Sequence, residues 1–179
     1  MNKKFNPKIT KGIWGIGWIH GAIRHVCRNT DWDLMKAMNI SISAHEGQID
    51  KGGSPYIEHV VRVSGDTDSF DQEIIAILHD VLEDSPEYRG EILSQGFNEN
   101  VISGLEAITK KKCEPYNDYI ERVGRHKDAS IVKLADLKDN MDTSRLGRDL
   151  TAEDIHRLNK YIKAREYLIC KVGEFENDK

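Results

Sequence analysis

A chain of 179 residues has the length of one domain with a sizeable core. Its 26 Lys and Arg against 30 Asp and Glu, a net charge of -4, argue against a dedicated nucleic-acid face, which needs a basic surface. No apolar run approaches the roughly 20 residues that cross a bilayer, and three scattered cysteines (Cys27, Cys113, Cys170) with no Cys-x-x-Cys pair fit free thiols in a reducing cytoplasm.

The acidic balance still admits an anionic substrate, because a metal ion and a few lysines can set the local field. Residues 1–30 read as an N-terminal arm. Lys3, Lys4, Lys8 and Lys11 precede Ile13-Trp14-Gly15-Ile16-Gly17-Trp18-Ile19, which superficially resembles a signal peptide. The apolar part is short and broken by glycine, is followed by His20, Arg24 and His25, and lacks a small-residue cleavage site. An aromatic-rich arm docking on the body or on a partner chain is the expectation. His20, His25 and Cys27 have no familiar metal-binding spacing.

Asp31 to Glu46 has helical character, with Leu34, Ala37, Met38, Ser41 and Ala44 on one side, Asp31 or Asp33 as N-cap and Gly47 as the stop. Gly52-Gly53-Ser54-Pro55 is a turn, and Pro55 suits the opening of a helix over Tyr56 to Ser64. Asp68 or Ser69 caps a central helix expected to run to about Leu82, closed by Ser85-Pro86. A short helix near Glu91 to Gln95 ends at Gly96, and Asn98 caps a helix through Thr109. After the Lys110-Lys111-Lys112 loop come helices over Tyr116 to Val123 and from Asp128. The pair Thr151 and Asp154, a variant capping box, opens a last helix to about Val172. Sustained period-two alternation is absent. The expected fold is therefore all-α, a bundle of about six to eight helices forming a single domain over residues 31–179.

The central helix carries the chemistry. Ile74-Ile75-Ala76-Ile77-Leu78 is a core stretch, yet it runs straight into His79-Asp80 and then Glu83-Asp84. Burying unpaired polar groups is costly, and a cation shared by imidazole and carboxylate resolves the conflict. His59 and Asp136 are likewise polar residues set in apolar stretches. Singly, such a histidine is more often a satisfied structural residue, and such an aspartate a cap or ion-pair partner. Together, two histidines and two carboxylates make a mixed N/O shell suited to Mn, Fe, Co or Zn, with positions left for water.

Three motifs carry a family resemblance: Lys51-Gly52-Gly53-Ser54-Pro55-Tyr56-Ile57-Glu58-His59-Val60, Leu78-His79-Asp80-Val81-Leu82-Glu83-Asp84, and Val132-Lys133-Leu134-Ala135-Asp136 with Asn140-Met141. In order, type and approximate spacing the chain resembles the HD-domain phosphohydrolases. Among these it is most similar to the hydrolase domain of RelA/SpoT-type alarmone enzymes and their small stand-alone relatives. The resemblance implies an HD-domain helical bundle in which His59, His79, Asp80 and Asp136 ligate one divalent metal, usually manganese. It implies that Glu83 and Asp84 position or deprotonate the attacking water, each lying one helical turn beyond His79 and Asp80 respectively. It also implies substrate contacts from Lys51, Asn140 and Thr143, with Tyr161 as an aromatic beside the nucleotide.

Two departures stand out. Asp50 occupies the place where these hydrolases commonly carry an Arg that stacks on guanine, and it adds negative charge near the phosphates. Their Leu-Ala-Asp-Arg-Leu-His-Asn strip reads Leu134-Ala135-Asp136-Leu137-Lys138-Asp139-Asn140. Three functions stay open: hydrolysis of the 3′-pyrophosphate of (p)ppGpp, hydrolysis of another nucleotide or small phosphoester, and a non-catalytic module that binds metal and nucleotide. His45, His126 and His156 read as structural or surface residues. Lys133 and Arg145 are candidate phosphate partners, and Lys110 to Lys112 reads as a solvated loop that could help hold a polyphosphate.

Overall fold

The computed structural model describes residues 30–177, so the arm with Trp14, Trp18, His20, His25 and Cys27 lies outside the described residues. Among them are eight helices of six residues or more and no strand, as the missing alternation requires. Helix α1 (Thr30–Ala44) buries Ala37, Ile40 and Ser41, and Gly47 turns the chain at φ +76°. Asp33 lies inside α1, pairing with Lys36 at 2.9 Å, and is not its cap. Pro55 is the N-cap of α2 (Tyr56–Gly65), whose buried side is His59, Val60 and Val63.

Helix α3 (Phe70–Leu78) is capped by Ser69, whose hydroxyl accepts from the Gln72 amide at 3.3 Å. It is the centre of the bundle: Ile74 through Leu78 are all buried, and α1, α2, α6 (Glu99–Ile108) and α8 (Lys127–Met141) pack around it. Contrary to expectation, the central helix does not continue to Leu82. It stops at Leu78, and a one-turn helix, α4 (Val81–Asp84), follows. The His79 ring accounts for the break: its Nδ1 engages the Ala76 carbonyl at 2.7 Å, the acceptor a continued helix would give the Asp80 amide. Helical bonding restarts at Asp80, whose carbonyl accepts from the amides of Glu83 (3.2 Å) and Asp84 (2.9 Å).

The short helix expected at Glu91 begins earlier, as a 3-10 turn over Pro86–Tyr88 and α5 (Arg89–Ser94). Helix α7 (Tyr116–Val123) lies where the sequence places it. The cap of α8 is His126, whose Nδ1 accepts from the Ala129 amide, so it is neither a plain surface residue nor displaced by Asp128. Asp128 instead accepts from Gln72 and Asn100, stitching α8 to α3 and α6. The Thr151–Asp154 box is reciprocal, each side chain accepting from the other's amide. It opens α9 (Ala152–Asn177), which runs past Val172 and lies along α8.

At Gly104, α6 comes so close to α3 that an added Cβ would sit 2.4 Å from Cδ1 of the buried Ile75. Gly104→Ala is therefore expected to lower unfolding stability by about 1–3 kcal/mol in urea titrations. Arg122 on α7 donates to the carbonyls of Glu106, Ala107 and Thr109 at the end of α6, and is itself held by Glu114. Hydrogen bonds from Arg122 hold the Glu114 carboxyl down at about 2. A depressed carboxylate stabilises above its unfolded value and loses that contribution as the pH falls through the folded one. Stability lost between about pH 4.5 and 2 should thus be smaller in Glu114→Gln than in the parent, read from urea midpoints at each pH.

Candidate active site

Three elements converge at the break after α3. His59 projects from α2, His79 and Asp80 from the break, and Asp136 from α8. One ligand atom each from His59, His79 and Asp136 lies within 4.8 Å of the others, and all three residues are buried. His59 Nε2 is 3.3 Å and His79 Nε2 3.6 Å from Asp136 Oδ1. Asp80 sits at the edge of this cluster, its Oδ2 2.9 Å from His79 Nε2 and 3.8 Å from His59 Nε2, and it also accepts a hydrogen bond from the Tyr56 hydroxyl.

The ring nitrogens show what the cluster can hold. A carbonyl only accepts, so the Ala76 contact puts the His79 proton on Nδ1 and leaves the Nε2 lone pair facing the cluster. His59 Nδ1 faces the Asp139 carboxylate at 2.6 Å, with the same result. Both Nε2 atoms are buried without a hydrogen-bond partner. Leaving such groups unsatisfied costs about 1–3 kcal/mol each. Burial opposes charge on His79, but the carboxylates of Asp80 and Asp136 outweigh it and hold the imidazole up at about 10. The cluster thus demands positive charge between its histidines, and two neutral Nε2 donors with two carboxylate oxygens fit a divalent ion.

The carboxylates are locked in turn. Lys133 Nζ lies 2.7 Å from Asp136 Oδ2, and Asn140 Nδ2 donates to Asp136 Oδ1 at 2.5 Å. Lys133 thus pairs with Asp136 while also lining the cavity above it. Arg145 is likewise engaged, with Asp139 at 3.0 Å and Asp50 at 3.4 Å. Asp50 differs from the expectation of a free negative charge beside the substrate. Its Oδ1 accepts from the amides of Gly52 and Ser54, its Oδ2 lies 3.4 Å from both Arg62 and Arg145, and its side chain is 11% exposed. Its charge is neutralised inside the loop.

Over the cluster lies a cavity of about 530 Å³. Glu83 and Asp84 line one side, with Glu83 Oε2 accepting from the Lys110 amide at 3.3 Å. Burial, then the charge of Asp80, raises both carboxyls above their ordinary range. Lys51, Asn140, Thr143 and Tyr161 all line the same cavity.

Lys110, from the loop that could help hold a polyphosphate, lines the cavity, while two cations there escaped sequence reasoning as substrate contacts, Arg157 and Lys160 on α9. The signal for these two was their place within one helical turn of Tyr161. Lys51, Lys110 and Lys160 make no ion pair among the described residues, while Arg157 pairs with Asp154 at 2.9 Å. Burial and the neighbouring charges of Lys133, Lys51, Lys110 and Arg157 depress the Lys160 ammonium, a strain that a polyanion in the cavity would relieve. Sequence reasoning also missed Tyr56, Arg62 and Asp139 as supports of the ligands.

Binding to the folded state alone raises stability, by about 2.7 kcal/mol at a ligand concentration one hundred times Kd. Manganese is accordingly expected to raise the melting temperature of the chelator-stripped protein. The rise should be lost in His59→Ala and Asp136→Ala, each compared with and without metal.

No family model matches the chain. Over 125 residues it is 31% identical to a guanosine-3′,5′-bis(diphosphate) 3′-pyrophosphohydrolase of Borreliella burgdorferi, a match covering 62% of this chain and 19% of the relative. It is 34% identical over 119 residues to the protein of that name from Haemophilus influenzae, covering 58% and 17%. It is 29% identical over 125 residues to the bifunctional (p)ppGpp synthase/hydrolase SpoT of Escherichia coli, covering 62% and 18%. The chain spans about a fifth of the length of these curated relatives. The resemblance read from the motifs is borne out: over about 60% of its length the chain is similar to the RelA/SpoT-type (p)ppGpp enzymes.

Proposed function

We propose that the chain is a metal-dependent phosphohydrolase of HD type that removes the 3′-pyrophosphate of (p)ppGpp. The observation that carries this reading is the pair of buried, unpartnered Nε2 atoms of His59 and His79 facing Asp136 beneath a cation-lined cavity. His59, His79, Asp80 and Asp136 would hold one divalent ion, manganese by family resemblance, with Fe, Co or Zn compatible with the same donors. Such an ion supplies Lewis acidity toward the phosphoryl oxygens and lowers the pKa of water at the site.

The chain's own residues do the rest. Glu83 and Asp84, their carboxyls raised by burial and by Asp80, accept the proton of the attacking water. The water oxygen bonds to the phosphorus attached to the 3′-oxygen, that P–O bond breaks, and the proton passes to the leaving oxygen. Pyrophosphate and guanosine 5′-di- or triphosphate result. Lys51, Lys110 and Lys160 hold the phosphates. Asn140 steadies Asp136, and Thr143 and Tyr161 border the nucleoside. A small-molecule substrate, not a nucleic acid, matches a cavity of about 530 Å³ in a chain with no basic excess. No helix among the described residues is long and apolar enough to cross a membrane. The exposed free thiols Cys113 and Cys170 support work in a reducing cytoplasm.

One observation favours a second reading. Asp50, tied down in its loop, offers no cation to stack on guanine, so another nucleotide or small phosphoester could be the substrate.

Purified protein with manganese should release pyrophosphate from guanosine tetraphosphate, and the rate should collapse by two or more orders of magnitude in His79→Ala and Asp80→Ala. Phosphate release from other nucleotides but none from guanosine tetraphosphate would sink the first reading in favour of the second. Binding without turnover across a phosphoester panel would make the chain a regulatory module instead.

A further inference from the structure

The two histidines of the centre are held differently. His79 Nδ1 meets a backbone carbonyl, whereas His59 Nδ1 meets a side chain, Asp139, at 2.6 Å. Asp139 lies three residues after Asp136 on α8, so both project toward α2. It is no ordinary surface ion-pair residue: its side chain is 9% exposed, and its contacts with His59 Nδ1 and Arg62 Nε are both 2.6 Å. Arg62 Nε donates to its Oδ1 at 2.6 Å, and Arg145 donates to its Oδ2 at 3.0 Å and to its backbone carbonyl at 2.6 Å. Two guanidiniums thus fix the rotamer of this carboxylate and keep it charged, while its Oδ2 faces the imidazole.

From this arrangement we propose that Asp139 is a positioning residue for His59, one that sets its tautomer so that Nε2 is the ligating atom. The inference rests on the metal-centre reading above. A carboxylate accepting from Nδ1–H fixes the ring orientation and makes the other nitrogen a better donor. The surroundings sharpen the argument. Without the carboxylate, His59 Nδ1 would face two guanidiniums that can only donate. They would draw the Nδ1 lone pair and move the ring proton to Nε2, where it blocks ligation.

The test uses the full chain, stripped of metal by chelator. Manganese affinity is read by competition with a fluorescent chelator, and the ring nitrogens of His59 are read by NMR in the metal-free protein. The wild type should carry its His59 proton on Nδ1. Asp139→Ala should move it to Nε2 and weaken manganese binding roughly ten- to a hundredfold. Asp139→Glu, which keeps an acceptor and a charge, should recover part of the affinity. Lys138→Ala, at an exposed neighbour paired with Asp66, should change neither readout.

A wild-type proton on Nε2 overturns the proposal, and this needs no variant to fold. Folded Asp139→Ala that binds manganese within twofold of the wild type also overturns it. A wild type that binds no manganese at all, with the proton still on Nδ1, refutes the metal-centre reading and leaves the tautomer assignment standing.

Discussion

Everything at the centre of this protein depends on one buried imidazole. His79 is 1% exposed, and its Nδ1 is spent on the Ala76 carbonyl. That single contact does two things. It interrupts the central helix, so that Asp80 and the Glu83-Asp84 turn follow the core stretch Ile74–Leu78 as a separate element. It also leaves Nε2 as the only ring atom available to the site. The helix break and the ligand are one feature, because the acceptor that ends the helix also selects the tautomer.

Around that point the charges are layered. A floor of carboxylates, Asp80 and Asp136, is balanced partly by Lys133 and by the demand for a cation between the histidines. A second pair, Asp50 and Asp139, is bridged by Arg62 and Arg145 behind the ligands. Above both, Lys51, Lys110 and Lys160 line the cavity without an ion pair among the described residues. The lining as a whole carries seven carboxylates against six Lys and Arg side chains, so an anionic ligand would rely on these lysines together with a cation in the cluster below.

The helices were legible because apolar periodicity and caps act locally: Ser69, Asn98 and the Thr151–Asp154 box each mark a terminus that their side chains satisfy. What was not legible came from contacts distant in sequence or from side chains behaving unlike their type. Nothing in Leu78-His79-Asp80 announces that the His79 ring will compete with the backbone for Ala76. Asp139 looked like a substitution in a strip of α8, and its role became visible only when Arg62, 77 residues earlier in sequence, was seen to clasp it. The motif histidines and aspartates could be read as a group because each interrupts an apolar run. Arg157 and Lys160 interrupt nothing, since α9 is amphipathic and largely exposed, so chemistry and solvent exposure leave the same imprint on them.

That contrast has a consequence for how such a protein changes over time. His59, His79 and Asp136 are buried on helices packed into the core or at the end of one, where any exchange disturbs the core as well as the cluster. The cations of α9 sit on a helix whose buried residues are only Asp154, Ala164 and Leu168. Mutations on its open face alter the rim while leaving packing nearly untouched. The shape and charge of the cavity rim can therefore drift through neutral exchanges on one helix, while the buried histidine–aspartate cluster stays under the selection that maintains the fold itself.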